Sequence, residues 1–394
     1  RIIFMKKILV INTKYKIMGG EDSNIVDEIN LLKKNFQVEY LEFDNSRKLN
    51  IFDILAFFIN TNIYSNKLLR EKLKKFKPDL VYIHNTWFKS NLGLFKILDK
   101  RKINTLLKIH NFRYDCSRHF LSSKHLKNNK FCSACNLDDQ STGVINKYYK
   151  DSLIKSIFLI RYSKKYFKLI KDSKIKILVL SEFHREYLSN LGVNKNKIFV
   201  YFNPIQVLDY ENLNYQSKSD YVVYAGRLSE SKGVEELLKA WKKSGIKNIK
   251  LKVIGIGEIE NNLKSQYSSG NIEFLGLLSN EEAKKYIMGA RAIVTATKMY
   301  EGQPRLLCEA SSFGVPCVYP SFGGMDEFFP SDYEYNFEQF NYDELTSKII
   351  SLEKNKDLAN VSNKIVEYIS TKLSENKLLT KFNKIIEAQI DYGK

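Results

Sequence analysis

Short apolar runs recur along this chain. Each gives way to a polar turn and then to a longer stretch in which apolar residues return every three or four positions. The short runs are rich in β-branched residues and nearly unbroken, the signature of strands buried on both faces. They fall at residues 7–13 (KILVINT), 38–43, 79–85 (DLVYIHN), 104–111 (NTLLKIHN), 176–180 and 197–205. A second series occupies 221–225, 249–258, 271–277, 292–298 and 317–320. Between them the pattern predicts a turn at 18–23 feeding a helix to about residue 34, helices at 51–64 and 152–170, and amphipathic helices at 341–353 and 374–390. Gly19 and Gly20 supply the turn before the first helix, with Glu21, Asp22 or Ser23 as its cap. Strands alternating with helices predict parallel sheets in an α/β fold. The polar, acidic and aperiodic stretch 206–219 reads as a linker. The expected organisation is therefore a Rossmann-like domain over 1–205, a second over 220–373, and a terminal helix at 374–394.

Residues 300–325 concentrate the candidate chemistry. Glu301 and Glu309 stand eight positions apart, with Gly302 and Pro304 between them and a helix-forming segment from Arg305. The expected order is strand, Gly/Pro loop, helix, with Glu309 roughly two turns into the helix. Such a helix start leaves backbone N–H groups unpaired and suits an anionic ligand. Both acids can accept hydrogen bonds from hydroxyl groups, as on sugars. Spacing alone decides nothing, because a chain with 44 Asp and Glu holds about five such pairs by chance. A second cluster follows residues 221–225, where Arg227 and Lys232 flank a tight loop closed by Gly233. Arg as a fork and Lys as a point charge can together grip a diphosphate. The run 249–258 ends in Gly255-x-Gly257 and lacks the third glycine of a dinucleotide fingerprint, which excludes NAD. His84 and His110 each close a strand with a His-Asn pair, at the strand ends where ligands of open parallel sheets sit. A lone histidine is more often structural.

EGQPRLLCEA followed by FGVPCV resembles the EX7E segment of retaining glycosyltransferase family 4, and GRLSESKG resembles that family's GRLxxxKG run. The resemblance spans most of the chain and is thinner in the first half. It implies the GT-B architecture, two facing Rossmann-like domains with a C-terminal helix crossing back to the first. It also implies roles. Glu301 holds the donor sugar, Glu309 the nucleotide ribose, and Arg227 and Lys232 the diphosphate, while His110 lines the donor-sugar pocket. Gly19, Gly20, Gly255, Gly302, Gln303, Pro304, Arg305 and Leu306 complete the donor-binding set. The activity implied is retaining transfer of a hexose from a UDP- or GDP-sugar to a glycan or lipid-linked saccharide. The context is bacterial surface polysaccharide, either lipopolysaccharide or capsule. The cationic pair removes the need for a catalytic metal.

The insert at 115–136 carries Cys116-x2-His119 and Cys132-x2-Cys135, ligand types and spacing suited to a tetrahedral structural Zn²⁺. It resembles a Cys-bearing loop in a subset of family 4. Those relatives carry a further Cys where this chain has Tyr148, so the fourth ligand is His119, His125 or none, and three reduced, packed thiols are the alternative. Five unevenly spaced Cys fit a reducing cytosol. Met5 reads as the natural start, without a signal peptide, and no apolar run approaches the 18 residues of a membrane span.

Net charge is +19, and up to residue 205 there are 39 Lys and Arg against 18 Asp and Glu. The first half thus carries all the excess. A basic half suits an anionic partner, membrane phospholipid or nucleic acid, or is simply a solvated Lys-rich surface. The basic, aromatic helix at 152–170 can lie in a membrane interface. The expected location is cytoplasmic, peripheral on the inner face of the plasma membrane, with no nucleic-acid partner. The competing function is a non-catalytic basic module for RNA or anionic membrane on a GT-B scaffold.

Overall fold

A computed structural model describes residues 6–14, 20–46, 53, 56, 59–114, 152–205, 219–268, 270–355 and 357–390. The chain forms two compact units. One is built on residues up to Pro204 together with the C-terminal segment from Glu375, the other on Ile205–Ser374.

The first unit holds six strands: β1 (Lys7–Lys14), β2 (Gln37–Asp44), β3 (Leu80–Ile83), β4 (Thr105–Lys108), β5 (Lys176–Val179) and β6 (Ile198–Val200). Their order in the sheet is β2-β1-β3-β4-β5-β6, with every pair parallel. β3 and β4 are buried throughout, as expected of strands covered by helices on both faces. β1 pairs with β2 on one side and β3 on the other, so the order of strands reverses there. At such a switch point a crevice opens outside the carboxyl ends of the strands.

The core of this unit joins Ile8, Val10, Ile25, Leu32, Leu80, Tyr82, Leu106 and Leu178 to Leu378, Phe382 and Ile386 of the helix Glu375–Ile390. Phe382 is fully buried, its ring 5.4 Å from Tyr82 and 5.2 Å from Tyr201. Burying one such side chain contributes about 1.5–3 kcal/mol. The end of the chain is thereby an integral piece of the first unit.

The second unit repeats the plan with β7 (Ser219–Ala225), β8 (Lys250–Ile254), β9 (Ile272–Gly276), β10 (Ala290–Val294), β11 (Cys317–Ser321) and β12 (Asn336–Glu338). These are ordered β12-β11-β10-β7-β8-β9 and again all parallel. Here the reversal falls between β7 and β10.

The helices differ from the sequence pattern in two ways. Of the helix expected at 51–64, residues 53, 56 and 59 are helical, but a separate helix, Ile63–Phe76, begins where that one was to end. Asn62 starts it, its side chain accepting from Ser65 N at 3.1 Å, and Lys77 stops it in the left-handed region at φ 50°. Helices Gly93–Lys100, Glu260–Tyr267, Asn280–Gly289 and Leu358–Lys372 are additional.

Candidate functional site

In the second unit the loops after β7 and β10 are locked together at the switch point. Gly233 sits at φ 64°, and a Cβ there would fall 1.8 Å from the carbonyl oxygen of Ala296. Only glycine permits that approach. Lys298 N then donates to Ser231 O at 3.0 Å, and the Lys298 ammonium donates to Glu236 at 2.6 Å. This seam brings Lys232, from the loop after β7, to Glu301, from the loop after β10. Lys232 Nζ donates to Glu301 Oε1 at 2.9 Å, with the side chains 31% and 26% exposed. Two motifs 69 positions apart thus form one half-wet ion pair at the carboxyl edge of the sheet, where ligands of doubly wound folds bind.

A third loop supports Glu301. Gly324 N donates to Glu301 O at 2.8 Å, and Tyr300 stacks on Phe322 with centroids 4.5 Å apart. Gly302, Gln303 and Pro304 are buried just ahead of the helix Arg305–Ser312. No side chain caps that helix, and an uncapped helix start suits an anionic ligand. Glu309 lies one turn into this helix, not the two turns expected. It accepts from Arg305 Nε at 2.8 Å, with both side chains largely buried. The Arg305–Glu309 pair makes a second ion pair, this one within the helix, and Leu306 is half-buried beside it.

Arg227 is exposed and makes no ion pair with either acid among the described residues. Its carbonyl accepts from Tyr224 OH at 3.0 Å. Gly255, expected to approach a donor, has a packing reason of its own. At φ 128° a Cβ on it would lie 2.0 Å from Gly226 O, and one on Gly257 would lie 2.1 Å from Leu228 O. The two glycines let the chain after β8 press on the Arg227 loop. Cys308 and Cys317 are free and buried. Burial pushes both thiols up, Cys317 to about 12, so neither serves as a nucleophile.

In the first unit His84 and His110 follow β3 and β4. His84 Nδ1 and His110 Nε2 are 2.9 Å apart. Burial holds both rings well below the ordinary histidine pKa, with His110 and the Lys108 ammonium adding to the effect at His84, and Lys108 and His184 at His110. Below them lies a pair that the sequence pattern did not single out. Lys108 Nζ donates to Glu28 Oε2 at 2.7 Å, with both side chains sealed from solvent, and Tyr82 OH donates to Glu28 Oε1 at 2.6 Å. A signal existed: Glu28 falls on the apolar stripe Ile25, Ile29, Leu32, where an acid survives only when paired.

Gly20 opens the helix Gly20–Leu32, and Gly19 lies outside the described residues. Cys116, His119, His125, Cys132, Cys135 and Tyr148 lie outside them as well. Among the described residues no group of three or more His, Cys, Asp or Glu is arranged to hold a metal, and no helix is long and apolar enough to cross a membrane.

Residues 209–370 match the family model of glycosyl transferases group 1. Two curated sequences from Methanocaldococcus jannaschii are similar, both described as uncharacterised glycosyltransferases. MJ1607 is 28% identical over 34% of this chain and 38% of its own length, and MJ1059 is 26% identical over 62% and 56%. The chain thus spans about half or less of the curated relatives it matches.

Solved structures cover nearly the whole chain. The sucrose-phosphate synthase of Thermosynechococcus elongatus superposes with a TM-score of 0.71 at 13% identity, covering 98% of this chain and 100% of that one. HepE of Anabaena in complex with UDP and glucose gives 0.62 at 14% identity, with coverage of 97% and 100%. The lipopolysaccharide outer core galactosyltransferase WaaB gives 0.62 at 16%, with coverage of 97% and 99%. The fold is that of GT-B glycosyltransferases.

Proposed function

We propose that this chain is a retaining glycosyltransferase that moves a sugar from a UDP- or GDP-sugar to a glycan or lipid-linked saccharide in surface polysaccharide synthesis. The observation that carries the reading is the Lys232–Glu301 contact of 2.9 Å. It lies at the switch point of the second unit, inside the span matching glycosyl transferases group 1. HepE, which shares the fold, is described in complex with UDP and glucose, and this supports a nucleotide-sugar donor.

An ammonium has three donors. Lys232 can keep one on Glu301 and turn the others to a diphosphate. The exposed Arg227 adds a second cation, and the uncapped start of Arg305–Ser312 adds oriented N–H groups. Together they stabilise the charge that develops on the leaving diphosphate, the task a metal ion performs elsewhere. Glu301 accepts from sugar hydroxyls rather than attacking carbon. Glu309, released from Arg305, accepts from the ribose. The acceptor hydroxyl enters on the face the diphosphate leaves, and configuration is retained.

The acceptor surface belongs to the basic first unit. On the helix Leu153–Asp172, Leu153, Ile154 and Ile157 are 43%, 66% and 44% exposed. Arg161, Lys164, Lys165 and Lys168 continue the same exposed face. An apolar patch followed by cations suits an anionic bilayer. Co-sedimentation with phosphatidylglycerol vesicles but not phosphatidylcholine vesicles, lost in Ile154→Asp, is the expected outcome.

The deciding experiment is a thermal-shift panel of UDP-, GDP- and ADP-sugars, followed by transfer assays on the best binder. Glu301→Gln should lower turnover about 10²–10³-fold. Full activity, or a trapped covalent glycosyl adduct in that variant, would remove Glu301 from the assigned role. Absence of any donor shift, with steeply salt-sensitive RNA binding, would replace the enzyme by a basic binding module.

A further inference from the structure

The bond between the two histidines leaves a specific remainder. A neutral imidazole has one N–H and one lone pair. The contact between His84 Nδ1 and His110 Nε2, 2.9 Å long, consumes one of each. One N–H and one lone pair are left, divided between His84 Nε2 and His110 Nδ1. Both atoms are buried, and neither finds a partner among the described residues. Buried polar atoms are ordinarily satisfied. Two orphans on one bonded pair, just beyond the carboxyl ends of β3 and β4, point to a ligand with hydroxyl groups.

We propose that His84 is a positioning residue, whose bond to His110 Nε2 fixes the His110 ring and decides whether His110 Nδ1 offers a proton or a lone pair to a sugar hydroxyl. This rests on the reading of His110 as a contact of the donor sugar. If His110 Nε2–H donates to His84 Nδ1, then His110 Nδ1 is the acceptor and His84 Nε2 carries the N–H. If His84 Nδ1–H donates, the outer roles exchange. Either arrangement keeps both rings neutral.

The surroundings enforce that neutrality. Lys108 on β4, held by Glu28 of the helix Gly20–Leu32, sets a fixed cation near both rings. Tyr82 on β3 packs 4.4 Å from His84, and His184 of the helix Glu182–Asn190 acts electrostatically on His110. None of these supplies an anion free to pair with an imidazolium, since Glu28 is already engaged by Lys108 and Tyr82. The rings are thus confined to donor–acceptor work rather than charge.

The test uses the full chain with ¹⁵N-labelled histidine. There are five histidines, and His110→Gln assigns the signal of interest. Long-range ¹H–¹⁵N correlation should show one dominant neutral tautomer for His110 in the wild type. In His84→Phe it should show exchange-averaged tautomers. UDP release from UDP-glucose should fall about 10–100-fold in kcat/KM, the usual cost of losing a residue that orients a contacting group. UDP binding and the unfolding midpoint should stay near wild type. His84→Asn, whose amide reaches the Nδ1 position, should restore both the tautomer and most of the rate. Should the Phe variant not fold, His84→Gln, whose amide reaches the Nε2 position instead, takes its place. An unchanged His110 tautomer in the Phe or Gln variant overturns the proposal, as does equal impairment of the Asn variant. A wild type that turns over no nucleotide-sugar would sink the donor reading alone, because the tautomer measurement still decides what His84 does to His110.

Discussion

Two ion pairs, one in each unit, hold charge in opposite ways. In the first, Lys108 and Glu28 form an ion pair at 0% and 1% exposure, with the ammonium also 4.6 Å from the Tyr201 ring. In the second, Lys232 and Glu301 form one at 31% and 26% exposure. Desolvating an ion costs several kcal/mol, offset inside a protein only by its partner. Lys108 and Glu28 therefore cannot separate while the unit stays folded. Lys232 and Glu301 keep part of their hydration and can exchange each other for a ligand at small cost. A charge that only holds a shape can be dry, whereas on the proposed function Lys232 changes partners during the reaction, which a half-wet charge allows.

The comparison breaks first at the dry pair. Glu28→Ala strands a buried ammonium and should destabilise the chain by about 3–5 kcal/mol in urea unfolding. Glu28→Leu combined with Lys108→Met, which removes both charges, should recover most of that loss. A cost under about 1 kcal/mol for Glu28→Ala would mean that water reaches the pair and that the contrast is false. Next comes the half-wet pair, where effect and readout trade places. Lys232→Ala should cost about 10²–10³-fold in donor turnover yet change unfolding by less than about 1 kcal/mol. A stability loss to match Glu28→Ala would make Lys232 a structural residue.

What the sequence made legible follows the same division. Strands of both sheets stand out because parallel strands buried on two faces leave apolar runs such as LVYI in β3 and VVYA in β7. The Lys232 and Glu301 loops stand out because glycine and proline mark the turns that carry them. Glu309 was misplaced by a turn although the helix begins at Arg305 as expected, because the four positions from Arg305 to Glu309 span one turn of 3.6 residues and not two. The helix Ile63–Phe76 was hidden because its start depends on one Asn62 hydrogen bond and its surface is mostly charged. The Glu28–Lys108 pair was illegible as a pair, since each residue alone looks like an error in an apolar stripe and only the fold brings them across 80 positions. The bond between His84 and His110 was hidden for the same reason. Each could be placed at a strand end, but their contact depends on β3 and β4 being neighbours.

The smallest effect expected sharpens the contrast along a pH axis. All five histidines precede residue 205, so histidine-linked acid sensitivity belongs to the first unit alone. His184 is the clearest case. It is buried against Phe112 at 4.3 Å and Tyr114 at 5.8 Å, and burial pushes its pKa down to about 3. In the unfolded chain the same ring titrates near 6.5. As pH falls through that value the unfolded state takes up a proton that the folded state refuses. The stability contributed by the neutral ring is therefore complete above about 6.5 and drains away as pH falls toward 3. Between pH 7 and pH 5 this one ring should remove about 1–2 kcal/mol. His184→Phe keeps the stacked ring and deletes the proton, so the variant should lose less stability than the wild type over that interval, by the same amount. Equal slopes for the two chains in urea unfolding at pH 7, 6 and 5 would mean that His184 takes up its proton without unfolding, and that the first unit is less dry than its packing implies.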